Sequence, residues 1–235
     1  MKLQRLIKQN IPNTITCLNL FCGCMAIVFA FNYGDTFGAL KGYELSFVFI
    51  GLAAVFDFCD GLSARLLPAY SALGKELDSL SDLVSFGVAP AALVYNAMAV
   101  SGAGLLAFAS FVIAVLGGLR LAKFNVDDRQ TTSFIGLPIP SNAIFWIGMV
   151  AWINQYFYPG DIVMIALIAL ISFMMVSNVS MFSLKVKSLA WKGNAQRYIL
   201  ILATVAGVAT LGVTAFAYAI ILYILMSLFA AKNEQ

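Results

Sequence analysis

The chain has 235 residues, 62% of them hydrophobic and 11% charged, with a mean hydropathy of +0.92. That balance excludes an ordinary soluble globule and describes a polytopic membrane protein. A net charge of only +3 gives no sign of a nucleic-acid partner, and with no histidine the commonest general base and metal ligand is missing.

Taken in order, the chain opens on a basic, amphipathic lead, residues 1–10, with Lys2, Arg5 and Lys8. No small-residue cleavage site follows, so the lead is expected to be retained. A first apolar span covers about 13–33. In its opening, Ile11 to Thr16, Pro12 fits the first position of a helix, and Asn13 with Thr16 can satisfy early backbone donors. Residues Tyr33 to Glu44 read as a loop. A second span runs over about 45–67 and ends near Pro68; a third, about 72–98, carries Pro90 and should kink there. The fourth covers about 103–123, and a polar connector with Asp127, Asp128 and Arg129 leads to Pro138 and Pro140. Spans at about 139–157 and 161–181 are separated by Pro159-Gly160, and a basic loop with Lys185, Lys187, Lys192 and Arg197 follows. The last apolar run, about 198–230, is too long for one crossing and is read as two helices turning near Gly207 to Gly212.

The expected fold is therefore all-α: a transmembrane helix bundle of about eight spans, made of a six-helix core over about 11–181 and a C-terminal helical hairpin over 182–235. The whole chain is read as one membrane-embedded domain. With about eight spans both termini share a side, and every lysine and arginine except Lys41 falls on it. The excess of positive charge places that side, and both termini, in the cytoplasm. Cys17, Cys22, Cys24 and Cys59 lack paired spacing and are read as free thiols.

The chemistry concentrates between Asp57 and Asp82. Asp57, Asp60, Asp78 and Asp82 lie in or beside apolar segments. A charge at the centre of a membrane helix costs roughly 2.5 kcal/mol or more, and neighbouring carboxylates also repel. A divalent metal removes both penalties, and carboxylates suit Mg²⁺ or Mn²⁺. On a helix, Asp57, Asp60, Gly61, Ala64 and Arg65 fall within an arc of roughly 140°. Gly74, Asp78 and Asp82 recur at i, i+4 and i+8. Two helices can thus face each other across a site, with Gly61 and Gly74 removing side-chain bulk and Arg65 offering a phosphate partner. Ser71, in the connector, either bonds a diphosphate oxygen or makes a local turn bond. Arg120, Lys123 and Arg129 cluster at the end of the fourth span, where they either reach for lipid headgroups or line an anion pocket.

Asp57-x-x-Asp60-Gly61-x-x-Ala64-Arg65, eight residues, then Gly74-x-x-x-Asp78-x-x-x-Asp82 resembles the signature of the CDP-alcohol phosphotransferases at every fixed position. The stretches Leu77 to Ala91, Arg120 to Asn125, Phe134 to Pro140 and Pro12 to Gly23 are similar to the phosphatidylserine synthase branch of that family. Lys123 stands where arginine is as readily expected. The resemblance implies a donor, CDP-diacylglycerol, an acceptor, L-serine, and a pair of Mg²⁺ or Mn²⁺ ions. It implies that Asp57, Asp60, Asp78 and Asp82 hold the metals and that Asp82 is the general base. Asn13, Thr16, Gly61, Arg65, Ser71 and Gly74 would bind the donor, and Arg120, Lys123 and Arg129 the acceptor. A homodimer in the lipid bilayer is implied by analogy. The alternatives are glycerol 3-phosphate or an inositol phosphate as acceptor and, from another class, an ion-coupled transporter. Against the transporter, no inverted repeat is visible in the sequence.

Overall fold

A computed structural model describes residues 2–126, 134–182 and 194–233. The helices are α1 (Lys2–Phe31), α2 (Gly42–Leu66), α3 (Ala72–Asp82), α4 (Ala89–Val100), α5 (Val112–Val126), α6 (Ile139–Gln155), α7 (Asp161–Val176), α8 (Ala195–Leu211) and α9 (Ala215–Asn233). Among the described residues, strands are confined to β1 (Thr36–Phe37) paired with β2 (Leu40–Lys41), and β3 (Phe134–Ile135) paired with β4 (Ser180–Met181), both antiparallel. Among the described residues, five helical stretches are long and apolar enough to cross a bilayer: Asn10–Phe31, Gly42–Leu66, Ala72–Val100, Gly104–Val126 and Ala195–Phe229. Helix α7, also apolar, is shorter at 16 residues. The chain is thus all-α in class and built for a membrane. It forms two compact units, 1–118 and 119–235.

In the first unit, α1 and α2 make an antiparallel pair joined by the β1–β2 hairpin, which turns at Gly38 (φ +65°). The start of α2 lies so close to the end of α1 that a Cβ on Gly42 would sit 2.7 Å from the Phe29 carbonyl oxygen. The Lys41 N–H donates to Glu44 Oε2 at 2.7 Å, filling a backbone donor at the α2 N-terminus. Helix α1 begins ten residues before Pro12, not at it, so Pro12 is interior to the helix. Thr14 and Thr16 do not cap there; their hydroxyls donate back to the carbonyls of Asn10 and Pro12 at 2.8 and 3.0 Å.

The third expected span is a chain of α3, a π-helical turn over Leu83–Val88, and α4. The irregularity precedes Pro90 rather than sitting at it. A regular helix would set the Pro90 ring against the carbonyl of Phe86. Widening the turn, with Ala89 N–H donating to the Val84 carbonyl, relieves that clash and lets α4 start with proline in its first turn. Helix α4 is the buried centre of the unit, with Leu93, Val94, Ala97 and Met98 fully enclosed.

Helix α1 meets this chain through small residues and hydroxyls. A Cβ on Gly23 would collide with Ser85 Oγ and lie 2.9 Å from Ser85 Cα. Close approach through small residues is how membrane helices gain contact without a hydrophobic drive between them. Gly23→Ala is expected to cost about 1–3 kcal/mol through overpacking. The check is thermal melting in detergent; an unchanged melting temperature would show that α1 and the π turn are free to separate.

In the second unit, α6 packs on α9, with Gly148 against Ala217 and Trp146 fully buried. Segment 134–137 covers the C-terminal end of α7: Leu137 N–H donates to the Met174 carbonyl at 2.9 Å and Gly136 N–H to that of Val179 at 2.8 Å. Gly136 has φ +79° and no space for a Cβ beside the Met175 carbonyl, so the glycine is required twice over. The C-terminal apolar run breaks, as expected, into two helices; the break lies at Gly212 (φ +62°), and Gly207 packs on Ala215 across it.

Candidate metal centre

Helix α2 carries Asp57 and Asp60 one turn apart, and α3 carries Asp78 and Asp82 one turn apart. The connector Leu67 to Ser71 returns the chain, and Ser71 starts α3 by accepting the Gly74 N–H on its Oγ at 2.9 Å. The local reading of Ser71 therefore holds; its hydroxyl proton is still available for donation. Asp57, Asp60 and Asp78 each offer a carboxylate oxygen within 4.8 Å of the others. Asp57 and Asp78 are half-buried and Asp60 is 6% exposed. Asp60 Oδ2 is buried without a hydrogen-bond partner. A buried carboxylate oxygen left unpaired carries a full desolvation penalty, and a cation shared with two neighbouring carboxylates removes it. The donor set, all carboxylate oxygen, suits a hard divalent ion. The residues present fit a divalent metal.

Asp82 stands apart from that trio. It lies beside Asp57, and its Oδ1 accepts from Asn19 Nδ2 at 3.5 Å. The other expected positions gather around the same end of the first unit. Asn13 Oδ1 and Ser71 Oγ each lie 3.0 Å from the point a Cβ on Gly74 would occupy. Thr16 is buried next to Asp60. Gly61 differs from Gly74: a Cβ there would meet only the Arg65 guanidinium, at 3.9 Å. Nothing in the fold itself demands glycine at 61. Asn13, Thr16, Gly61, Arg65, Ser71, Gly74 and the aspartates thus belong to one unit.

Arg120 and Lys123 belong to the second unit. Arg120 is buried and lies over the Phe124 ring at 5.2 Å, near Tyr223. Lys123 Nζ is 3.4 Å from the Val176 carbonyl, at the C-terminus of α7, where a cation meets the negative end of the helix. Arg129 lies outside the described residues.

Sequence reasoning missed Asn19, Ser81 and Ser85. All are fully buried. Ser81 Oγ donates to the Thr16 carbonyl at 3.3 Å and Ser85 Oγ to the Asn19 carbonyl at 3.1 Å, tying α1 to the helix that carries Asp82. A signal was present: Asn13, Thr16 and Asn19 recur every third residue along an otherwise apolar helix, a polar stripe that needs a partner.

Membrane-length helices bring a carboxylate trio that could hold a metal ion together beside an open glycine and an arginine. Sequence comparison makes the class specific. The sequence profile of the family described as CDP-alcohol phosphatidyltransferase matches residues 9–176, and the chain belongs to that family. Similar proteins include a CDP-diacylglycerol--serine O-phosphatidyltransferase of Bacillus subtilis, 36% identical over 169 residues, 72% of this chain and 88% of that protein. A protein of the same name from Helicobacter pylori is 31% identical over 196 residues, 81% of this chain and 78% of its own length. One from Methanocaldococcus jannaschii is 38% identical over 146 residues, 62% of this chain and 63% of that protein.

Proposed function

We propose that this enzyme transfers the phosphatidyl group of CDP-diacylglycerol to L-serine, giving phosphatidylserine and CMP. The observation that carries the transfer chemistry is the convergence of Asp57, Asp60 and Asp78 around the unpartnered Asp60 Oδ2. The acceptor rests on the relatives, each named for serine.

Asp57, Asp60 and Asp78 would hold the metal, with Asp82 completing the set for a second ion. When bound, Mg²⁺ or Mn²⁺ supplies neutralising charge for the diphosphate and for the attacking and leaving oxygens. The chain's own groups do the rest. Gly61 leaves space for a ligand to approach the α2 backbone, and Arg65 beside it pairs with phosphate oxygen. Asn13 and Ser71, beside Gly74, and Thr16, beside Asp60, bind the CDP part of the donor. Asp82 takes the proton from the serine hydroxyl as its oxygen attacks the lipid-side phosphorus. The bond from that phosphorus to the bridging oxygen breaks, and CMP leaves with the electron pair. In-line displacement of this kind demands positioning and charge stabilisation above all. Arg120, Lys123 and Arg129 are the proposed acceptor cations, on the strength of their clustering in the sequence.

The proposed setting is a multi-pass protein of the cell membrane with about eight spans and a cytoplasmic site. The site residues lie at the end of α1 and α2 that carries Arg65, and on α3, which carries Lys75, opposite the hairpin that carries Lys41. An excess of positive charge at that end supports a cytoplasmic orientation. The family match over 9–176 supports a catalytic core near 11–181.

The test is CMP release from CDP-diacylglycerol by purified protein, with serine, glycerol 3-phosphate and inositol phosphate offered one at a time. Serine-dependent release is expected. Strong release with glycerol 3-phosphate and none with serine would overturn the acceptor.

A further inference from the structure

We infer that Asn19 is a positioning residue that aims the Asp82 carboxylate at the acceptor; this rests on the reading of Asp82 as general base. Asn19 is on α1, sixty-three residues away in sequence, yet its side-chain amide donates to Asp82 Oδ1 at 3.5 Å. It is completely buried, and its own Oδ1 has no partner. An amide placed for packing alone would carry that desolvation cost without return.

The amide is also the right donor for the task. A lysine or arginine at 19 would hold Asp82 but cancel the charge a base needs. An amide orients one oxygen of the carboxylate without cancelling the charge a base needs. The backbone removes slack from the aim. The Asn19 carbonyl accepts from Ser85 Oγ, and Ser81 Oγ donates to the Thr16 carbonyl, so hydroxyls on both sides of Asp82 fix the register of α1. Gly23, one turn further along α1, permits the close approach that brings Asn19 within reach.

A double-mutant cycle on the full-length protein tests this. Asn19→Leu, Asp82→Asn and the double variant are compared with the unaltered enzyme for turnover with serine, KM and affinity for CDP-diacylglycerol, and melting temperature in detergent. Asn19→Leu is expected to lower turnover about 10-fold or more, as loss of a hydrogen bond to a charged group implies. Donor affinity and melting temperature should hold, and the same change in the Asp82→Asn background should cost less than about 2-fold. An equal loss in both backgrounds, or none in the first, overturns the proposal and makes Asn19 a packing residue. If Asn19→Leu melts early, Asn19→Ala removes the amide without adding bulk, and the same comparison decides. Undiminished turnover in Asp82→Asn removes the base reading itself, and this proposal with it, whatever Asn19→Leu does.

Discussion

Excess chelator is expected to abolish CMP release by the purified protein, and added Mg²⁺ or Mn²⁺ to restore it. Asp57, Asp60 and Asp78 place carboxylate oxygens within 4.8 Å of one another in a partly buried site. Without a cation, a diphosphate brought to that site adds negative charge to negative charge. Metal ions supply several kcal/mol of charge stabilisation in such reactions, and each ~1.36 kcal/mol is tenfold in rate. Chelation should therefore cost about 10³-fold or more. Ca²⁺ should restore little, because its longer bonds and looser coordination misplace the reacting oxygens. A second readout is free of catalysis: Mg²⁺ alone should raise the melting temperature of the unaltered protein, since a ligand of the native state stabilises it. That rise should shrink in Asp60→Asn, which keeps the shape but loses the charge. Full activity in chelator, or equal thermal shifts in both proteins, would remove the metal from the account.

How much of this was legible in the sequence depends on distance along the chain. Asp57, Asp60 and Arg65 share a face because helical periodicity alone puts them there, and the same holds for Gly74, Asp78 and Asp82. Both groups lie on neighbouring helices joined by a short connector, so their convergence needed no knowledge of the rest of the fold. For Asn19 the polar stripe is visible in the sequence but its pairing is not, for the opposite reason. Its partner is in another helix, and the pairing depends on how deeply α1 settles against Ser85, which Gly23 decides. A single chain's periodicity carries no information about that depth.

The same division explains the fold. Apolar runs marked the long helices well, and the excess length of the last run correctly required a break, which falls at Gly212. Pro12 and Pro90 were read by rule and both differ in detail. Proline is favoured at a helix start, but α1 continues through Pro12 from the basic lead. Pro90 was expected to bend the helix at its own position, whereas the strain is taken up over Leu83–Val88. That placement has a consequence for the site. The π turn begins directly after Asp82, so the helical register on which Ser85 faces α1 differs from that of Asp78 and Asp82. Ser81 and Ser85 nevertheless both reach α1 carbonyls, bracketing Asp82 where it meets Asn19.

Replacing Asp82 by asparagine should separate proton removal from metal and donor binding. Asp57, Asp60 and Asp78 form the tight trio, and Asp82 sits at its edge, beside Asp57 and against Asn19. Asn at 57, 60 or 78 removes charge from the proposed metal centre, so donor affinity and turnover should fall together. Asn at 82 keeps an oxygen of similar position but cannot take the serine proton. General-base contributions are typically about 10²–10⁴-fold, so turnover should fall by at least ~10²-fold. CDP-diacylglycerol affinity should be largely kept, because Asp57, Asp60 and Asp78 remain. Donor affinity and turnover measured side by side on the variants of all four aspartates decide the matter. If Asp82→Asn lost donor binding as severely as Asp57→Asn, Asp82 would be a metal ligand alone and not the base. The serine proton would then have to leave by another group, and the amide of Asn19 would be holding a ligand in place rather than aiming a base.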